Sequence, residues 1–401
     1  RSNTIYHLNN NSMKHRTQRL LGALAFSVLS MPMFAQMSGT YNIDAAGTGT
    51  NNYTSFGAAV TALTTSGVSG AVTFNVASGT YTEQVNLGAV TGASSTNTIT
   101  FQGGSSTAAS ILTYTPASSS DNWTVKMTGT DYVTFDNLTI TSGGSTYGRL
   151  IVYTDTVTNF NLTNCHLIGT TTSGSSGSTS SFRAGLYYAY PAVAAGNWHI
   201  SDNTFDSVTY AVYVYGLGYG AGSGADSVFV EDNTINANYN GFYVRYAKYQ
   251  KMHDNVINDI KGNSLRNYAY YPVYELDVQN NQVNEAAYGL YCYTAPPTSG
   301  ATGNIKVNVS NNHFEGTYYG LYVGGSGSST TEKITDLTIE NNTIEAWGSS
   351  YNYGIYLAYV NAPSTARAKV QNNMISLNTT STTGTLYGIY PYHCANVDMF
   401  H

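Results

Sequence analysis

Charge is what this chain has least of. Asp, Glu, Lys and Arg make up 9% of its 401 residues, against roughly 25% in ordinary globular chains; Ser, Thr, Asn and Gly supply the polarity instead. The composition therefore excludes the charge-rich signature of disorder. With 16 basic and 22 acidic residues, for a net charge of -6, there is no basic stripe for phosphates. Nucleic acid is excluded as a partner class on that ground, and anionic membrane surfaces are disfavoured.

Cysteine is nearly absent as well. Cys165, Cys292 and Cys394 are an odd, widely scattered trio, which argues against a disulfide framework and against a cysteine-built zinc site. No metal or cofactor is expected. Long apolar runs are missing too: residues 20–28 fall short of the roughly 20 that a membrane span needs. They follow Lys14, Arg16 and Arg19 and precede "MFAQ", the layout of a secretory signal peptide cut after Ala35. The expected organisation is an upstream extension over 1–12, a signal peptide over 13–35 starting at Met13, an N-terminal cap with the first coils over 36–130, and repeats over 131–401. Export to the cell surface or medium follows, with no membrane insertion after signal removal, and a monomer is expected. No C-terminal cap or sorting domain is visible before His401, so the chain is expected to continue beyond it.

Tyrosine and asparagine are what the chain has in excess. It spends 36 tyrosines, many in one phrase: "YAVYVYG", "NGFYVRY", "YGLYCYT", "YYGLYVGG", "YGIYLAY" and "YGIYPYH". Ahead of each phrase stands an apolar alternation ending in an Asn/Asp pair, as in "VFVEDNTI", "LDVQNNQV", "VNVSNNHF", "LTIENNTI" and "AKVQNNMI". "VTFDNLTI", "FNLTNCHL", "WHISDNTF" and "QKMHDNVI" fit the same template. The second residue of the pair is Leu138, Cys165, Asn203, Asn233, Asn255, Asn281, Asn312, Asn342 and Asn373, so successive positions differ by 27, 38, 30, 22, 26, 31, 30 and 31. A fixed period of this size marks a solenoid.

Alternation is a strand pattern, and Asn or Asp visits the left-handed region most cheaply after glycine. Strand, bend, strand, glycine and a third strand make one coil, and stacked coils make a right-handed parallel β-helix. Asn203, Asn233, Asn255, Asn281, Asn312, Asn342 and Asn373 are then expected to stack as a structural ladder of side-chain amides. Cys165, at a ladder position, and Cys292, at an inward strand position, are expected to be buried. Near the front, Phe56, Ala59, Val60 and Leu63 have the spacing of an amphipathic helix, suited to plugging the open first coil.

Helix, strand "AVTFNVASGTYTEQV" and stacked coils together resemble the pectate-lyase-like β-helix superfamily and the repeats of large exported bacterial surface proteins. The resemblance covers roughly residues 40–401. It implies an all-β, right-handed parallel β-helix with a short N-terminal capping helix, and it makes a polysaccharide lyase, hydrolase or epimerase the first function to test.

If Leu321 and Val323 point inward in "GLYV", Tyr322 points outward. The same reading places Tyr187, Tyr213, Tyr243, Tyr291, Tyr356 and Tyr390 in one outward column, with Tyr215, Arg245, Tyr293 and Tyr392 two residues on. Three explanations stay open: sheet propensity and cross-strand contact, a face for sugar rings to stack on, or reversed facing with the rings in the core. The glycan reading makes a polysaccharide or cell-surface glycan the partner and the protein an adhesive or structural stalk.

Acid/base chemistry on glycans needs paired carboxylates, or a basic residue with calcium-binding acids, and the tyrosine column offers neither. One stretch breaks the low-charge rule, with Arg245, Lys248, Lys251, His253, Asp254, Asp259, Lys261 and Arg266 in close succession. As an alternative site it would hold an acidic sugar through Arg245, Lys248, Lys261 and Arg266 with Asp259 or Tyr243 as proton carrier, and calcium enters only under that lyase reading. Its plainer reading is a solvated loop cluster.

Overall fold

The structure is a computed structural model that describes residues 35–104, 110–170, 180–189, 196–216, 226–260, 265–272, 274–294, 305–325, 334–348, 351–379, 381 and 383–400. The signal-peptide expectation and Lys261 lie outside the described residues.

From Met37 onward the strands pair in parallel and stack coil upon coil on three faces. The first face begins with Asn52–Tyr53, Met37–Ile43 and Val68–Val76 and gains one strand per coil to Val397–Phe400. The second and third faces are joined. In the middle coils one long strand serves both, as in Thr204–Tyr215, Thr234–Arg245, Gln282–Thr294 and His313–Gly325. Register shifts at Phe205/Val208 and Val283/Ala286 mark where two of these strands turn the corner, and Ser207 and Glu285 take positive φ there.

The bend between the first and second faces is set by the Asn/Asp pair. Its first member, from Asn137 through Asp202, Asp232, Asp254 and Asn280 to Asn372, has φ between 53° and 58° in every coil. Its second member turns inward. Asn203, Asn233, Asn255, Asn281 and Asn312 are nearly inaccessible, and from Asn203 to Asn373 each Nδ2 donates to the next Oδ1 at 2.9–3.0 Å. The same oxygens accept backbone N–H groups, as Asn281 Oδ1 does from Asn255 N at 3.1 Å. Each amide thus satisfies a turn that would otherwise bury unpaired donors. Cys165 caps the ladder: its Sγ accepts from Leu138 N at 3.5 Å where an amide oxygen would otherwise sit. Burial pushes the thiols of Cys165 and Cys292 up to about 12.

The glycine of the tyrosine phrase has a steric cause. It is buried within the third-face strands, where a Cβ on Gly320 would meet Ile344 Cγ2 at 2.2 Å and one on Gly354 would meet Ile375 Cγ2 at 2.4 Å.

The helix Phe56–Ser66 buries Phe56, Ala59, Val60 and Leu63. Ser55 caps its start, and Glu83, just after the strand Gly79–Thr82, accepts from Phe56 N at 2.9 Å and Gly57 N at 2.8 Å. A carboxylate there also suits the positive end of the helix dipole. The Phe56 ring meets Tyr81 and Phe101, the latter in an interior aromatic stack with Phe74, Phe135 and Phe160. No helix among the described residues is long and apolar enough to cross a membrane.

Candidate binding face

Third-face strands alternate fully buried and outward residues. Val212, Val214, Phe242, Val244, Leu290, Cys292, Leu321 and Val323 are inside, so the tyrosines between them stand outside the coil. Tyr187, Tyr213, Tyr243, Tyr291, Tyr322, Tyr356 and Tyr390 occupy one register column. Tyr268, which the Gly-based phrase overlooked because "RNYAYY" has Asn267 and no glycine ahead of it, completes that column between Tyr243 and Tyr291. Ring centroids along it lie 4.2–5.9 Å apart, with Tyr291 and Tyr322 closest and stacked nearly parallel. Seven inter-coil steps of about 4.8 Å give the column a length of ~34 Å.

Two more columns flank it. On one side run Tyr215, Arg245, Tyr270 and Tyr293, then Gly324, Ala358 and Tyr392. On the other run Tyr288, Tyr319, Tyr353 and Tyr387, with successive centroids 5.0–5.3 Å apart. Sequence reasoning missed this second flank. The buried Gly–Leu pair interrupts strict alternation, so Tyr288 and Tyr291, three residues apart, face the same way. Their rings stack at 5.6 Å.

Width changes one expectation. Tyr322 is not partly exposed but 7% accessible, because Tyr291, Tyr319 and Tyr356 crowd its ring from three sides. The other members of the central column are half-buried. Burial raises the phenol pKa values of Tyr268 and Tyr353 to about 12 and those of Tyr270, Tyr291, Tyr319 and Tyr322 further. These hydroxyls stay protonated at neutral pH, fit to donate hydrogen bonds and poor as bases.

Cations are set into this surface. The Arg245 guanidinium lies 4.4, 4.7 and 4.9 Å from the rings of Tyr215, Tyr246 and Tyr271 and hydrogen-bonds the hydroxyls of Tyr215 and Tyr246. Tyr246 and Tyr271 take positive φ at the edge of the face, a conformation that costs a bulky residue about 1–2 kcal/mol. Arg266 sits 5.1 Å from the Tyr288 ring, and Arg149 3.4 Å from that of Tyr187. Unlike Arg367, whose Nε is 2.7 Å from Asp398, these three arginines have no carboxylate within 4.0 Å among the described residues. From Val85–Leu87 to Thr385–Tyr392, the described third-face strand residues include no Asp or Glu, yet include Lys126, Arg245 and Arg266. A protein of net negative charge has kept its acids off this face.

Of the alternative site, Lys261 lies outside the described residues, and two of the others are already engaged. Asp259 is buried and accepts from Leu265 N at 2.9 Å, closing its own loop. Lys248 pairs with Asp226 at 2.7 Å, and Asp254 is a bend residue.

His253 belongs to the first face, between coils, with Nε2 3.1 Å from Asp277 and Nδ1 3.6 Å from Glu231. The hydrogen bond with Asp277 raises its pKa above 6.5, against the opposing effect of burial. Burial pushes the Asp277 carboxyl up, but hydrogen bonds from His253, Gln279 and Asn308 outweigh that and hold it at about 2. The His253 contribution to stability is complete below 6.5 and lost as pH rises through the raised value. That of Asp277 is present above 3.8 and lost as pH falls toward about 2. Thermal melts should therefore show a higher Tm at about pH 5.5 than at about pH 8.5, and His253→Gln should flatten that fall. An unchanged fall in the variant would contradict the assignment.

A family model described as a right-handed β-helix region matches residues 192–333. No curated protein matches. Among solved structures, the chain is similar to pectate lyase Pel9A (12% identity, 88% of this chain and 79% of that chain covered, TM-score 0.41). It is also similar to DFA-IIIase from Arthrobacter chlorophenolicus A6 without its lid in complex with GF2 (11%, 91% and 94%, TM-score 0.47), and to the Dettilon tailspike protein (11%, 95% and 73%, TM-score 0.46). The protein is a right-handed parallel β-helix.

Proposed function

We propose that this is an exported β-helix protein whose third face binds an extended acidic polysaccharide and does not turn it over. The observation that carries the reading is the segregation of charge: a tyrosine pavement holding Arg149, Arg245 and Arg266 without carboxylate partners, on a face whose described strands lack acids. Sheet propensity alone accounts for outward tyrosines, but not for arginines left without counter-ions among them. Sugar rings stack their C–H faces on aromatic rings while protonated phenols donate to their hydroxyls. Guanidinium groups pair bidentately with carboxylate or sulfate. The length of the column favours a polymer over a single sugar. In this reading Tyr187, Tyr213, Tyr215, Tyr243, Tyr268, Tyr291, Tyr293, Tyr356 and Tyr390 touch ligand, while Tyr322 supports the rings around it.

Affinity electrophoresis tests this. The folded protein should be retarded by polygalacturonate and not by dextran, and added salt should weaken the retardation because part of the attraction is between exposed charges. Equal migration in both gels would overturn the proposal and leave the face a structural feature of a stalk. Release of unsaturated products from polygalacturonate would show that turnover occurs.

A further inference from the structure

On the second face, His313 and Glu315 stand two residues apart on the outward side of His313–Gly325, with Phe314 buried between them. Glu345 is in register with Glu315 on the next coil. His313 Nε2 is 3.7 Å from Oε1 of each glutamate, and all three atoms lie within 4.8 Å of one another. That separation is too long for a hydrogen bond. The Nε2 atom is shielded from solvent and makes no hydrogen bond. Glu315 is aimed from behind: Glu285 N–H donates to its Oε2 at 3.2 Å, leaving Oε1 turned toward the imidazole. Two carboxylates in register on neighbouring strands repel, so this arrangement calls for a cation among the three atoms.

We propose that His313, Glu315 and Glu345 bind a divalent transition-metal ion of the zinc type. Metal–nitrogen and metal–oxygen bonds of about 2.1 Å put tetrahedral ligands about 3.4 Å apart, within a few tenths of an ångström of the His–Glu distances observed. One imidazole with two carboxylates suits zinc-type ions, whereas calcium and magnesium prefer sites built of oxygen alone. Three protein ligands leave a fourth position for water or an outside donor. The ion would clasp two adjacent coils. His253 shows the contrast: its two carboxylates lie at opposite ring nitrogens, and Asp277 is already engaged by Gln279 and Asn308, so no single ion joins that set.

The test is zinc titration of the chelator-treated full chain, by calorimetry and by thermal melting. One equivalent should bind, and Tm should rise with zinc concentration, as linkage requires; calcium and magnesium at the same concentration should leave it unchanged. His313→Gln and Glu345→Gln should each weaken zinc binding by at least ~10-fold while melting like the parent without metal, and His253→Gln should bind zinc as the parent does. Absence of uptake, or uptake indifferent to both substitutions, would overturn the site.

Discussion

Asn281→Ala is expected to destabilise the protein by about 3–5 kcal/mol, far more than its small volume suggests. Asn281 Oδ1 accepts from Asn255 N and Nδ2 at 3.1 and 2.9 Å. Its Nδ2 donates to Met252 O, Gln279 O and Asn312 Oδ1 at 2.6–2.9 Å. Removing the amide strands several buried groups at once, each costing about 1–3 kcal/mol when water cannot reach it, with incomplete additivity. Asn308→Ala is the control. Its side chain lies on the outside of the first face, where Nδ2 donates to Asp277 at 2.8 Å, and its loss should cost below about 1.5 kcal/mol. Urea unfolding followed by tyrosine fluorescence measures both. A loss under about 1 kcal/mol for Asn281→Ala would mean that the ladder is ornamental, contrary to the hydrogen-bond accounting.

The second large effect falls on binding. The double substitution Arg245→Gln with Arg266→Gln should weaken affinity for polygalacturonate by about 10²–10³-fold, since a hydrogen bond to a charged group contributes roughly 1.5–3 kcal/mol. Its salt dependence should shrink as well. Stability should change modestly, because the ring contacts of each guanidinium contribute about 0.5–2 kcal/mol. Calorimetric titration across ionic strength separates the two consequences. Unchanged affinity in a folded double variant would remove the arginines from the ligand and leave stacking alone to explain any retention.

The fold was legible because a solenoid writes each structural need again in every coil. The Asn/Asp pair announced a left-handed bend, and the structure puts φ there between 53° and 58°. Helix and coils were visible for the same reason: their apolar spacing is local. The binding face was half visible. Strict alternation exposes a column whose members sit at matching positions, and so yielded Tyr187 through Tyr390 apart from Tyr268; it fails where two successive residues are buried, and so hid Tyr288, Tyr319, Tyr353 and Tyr387. Net charge misled in the same way, because a sum over the chain hides the placement of cations on one face and acids on the others. Tyr322 and Asp259 show the remaining limit. Direction along a strand does not reveal how densely neighbours crowd a ring, nor that a carboxylate near two arginines in sequence turns inward to its own loop.

Hydroxyl-radical footprinting of the full chain, with and without polygalacturonate and read by mass spectrometry, tests the central claim most directly. Tyr249 and Tyr274 are 40% and 45% accessible at the first-face side of the molecule and serve as internal references. The account predicts that ligand suppresses oxidation at Tyr213, Tyr243, Tyr268, Tyr291 and Tyr356 together and leaves Tyr249 and Tyr274 unchanged. Protection confined to Tyr249 and Tyr274, or no protection of the central column at saturating polymer, would contradict it.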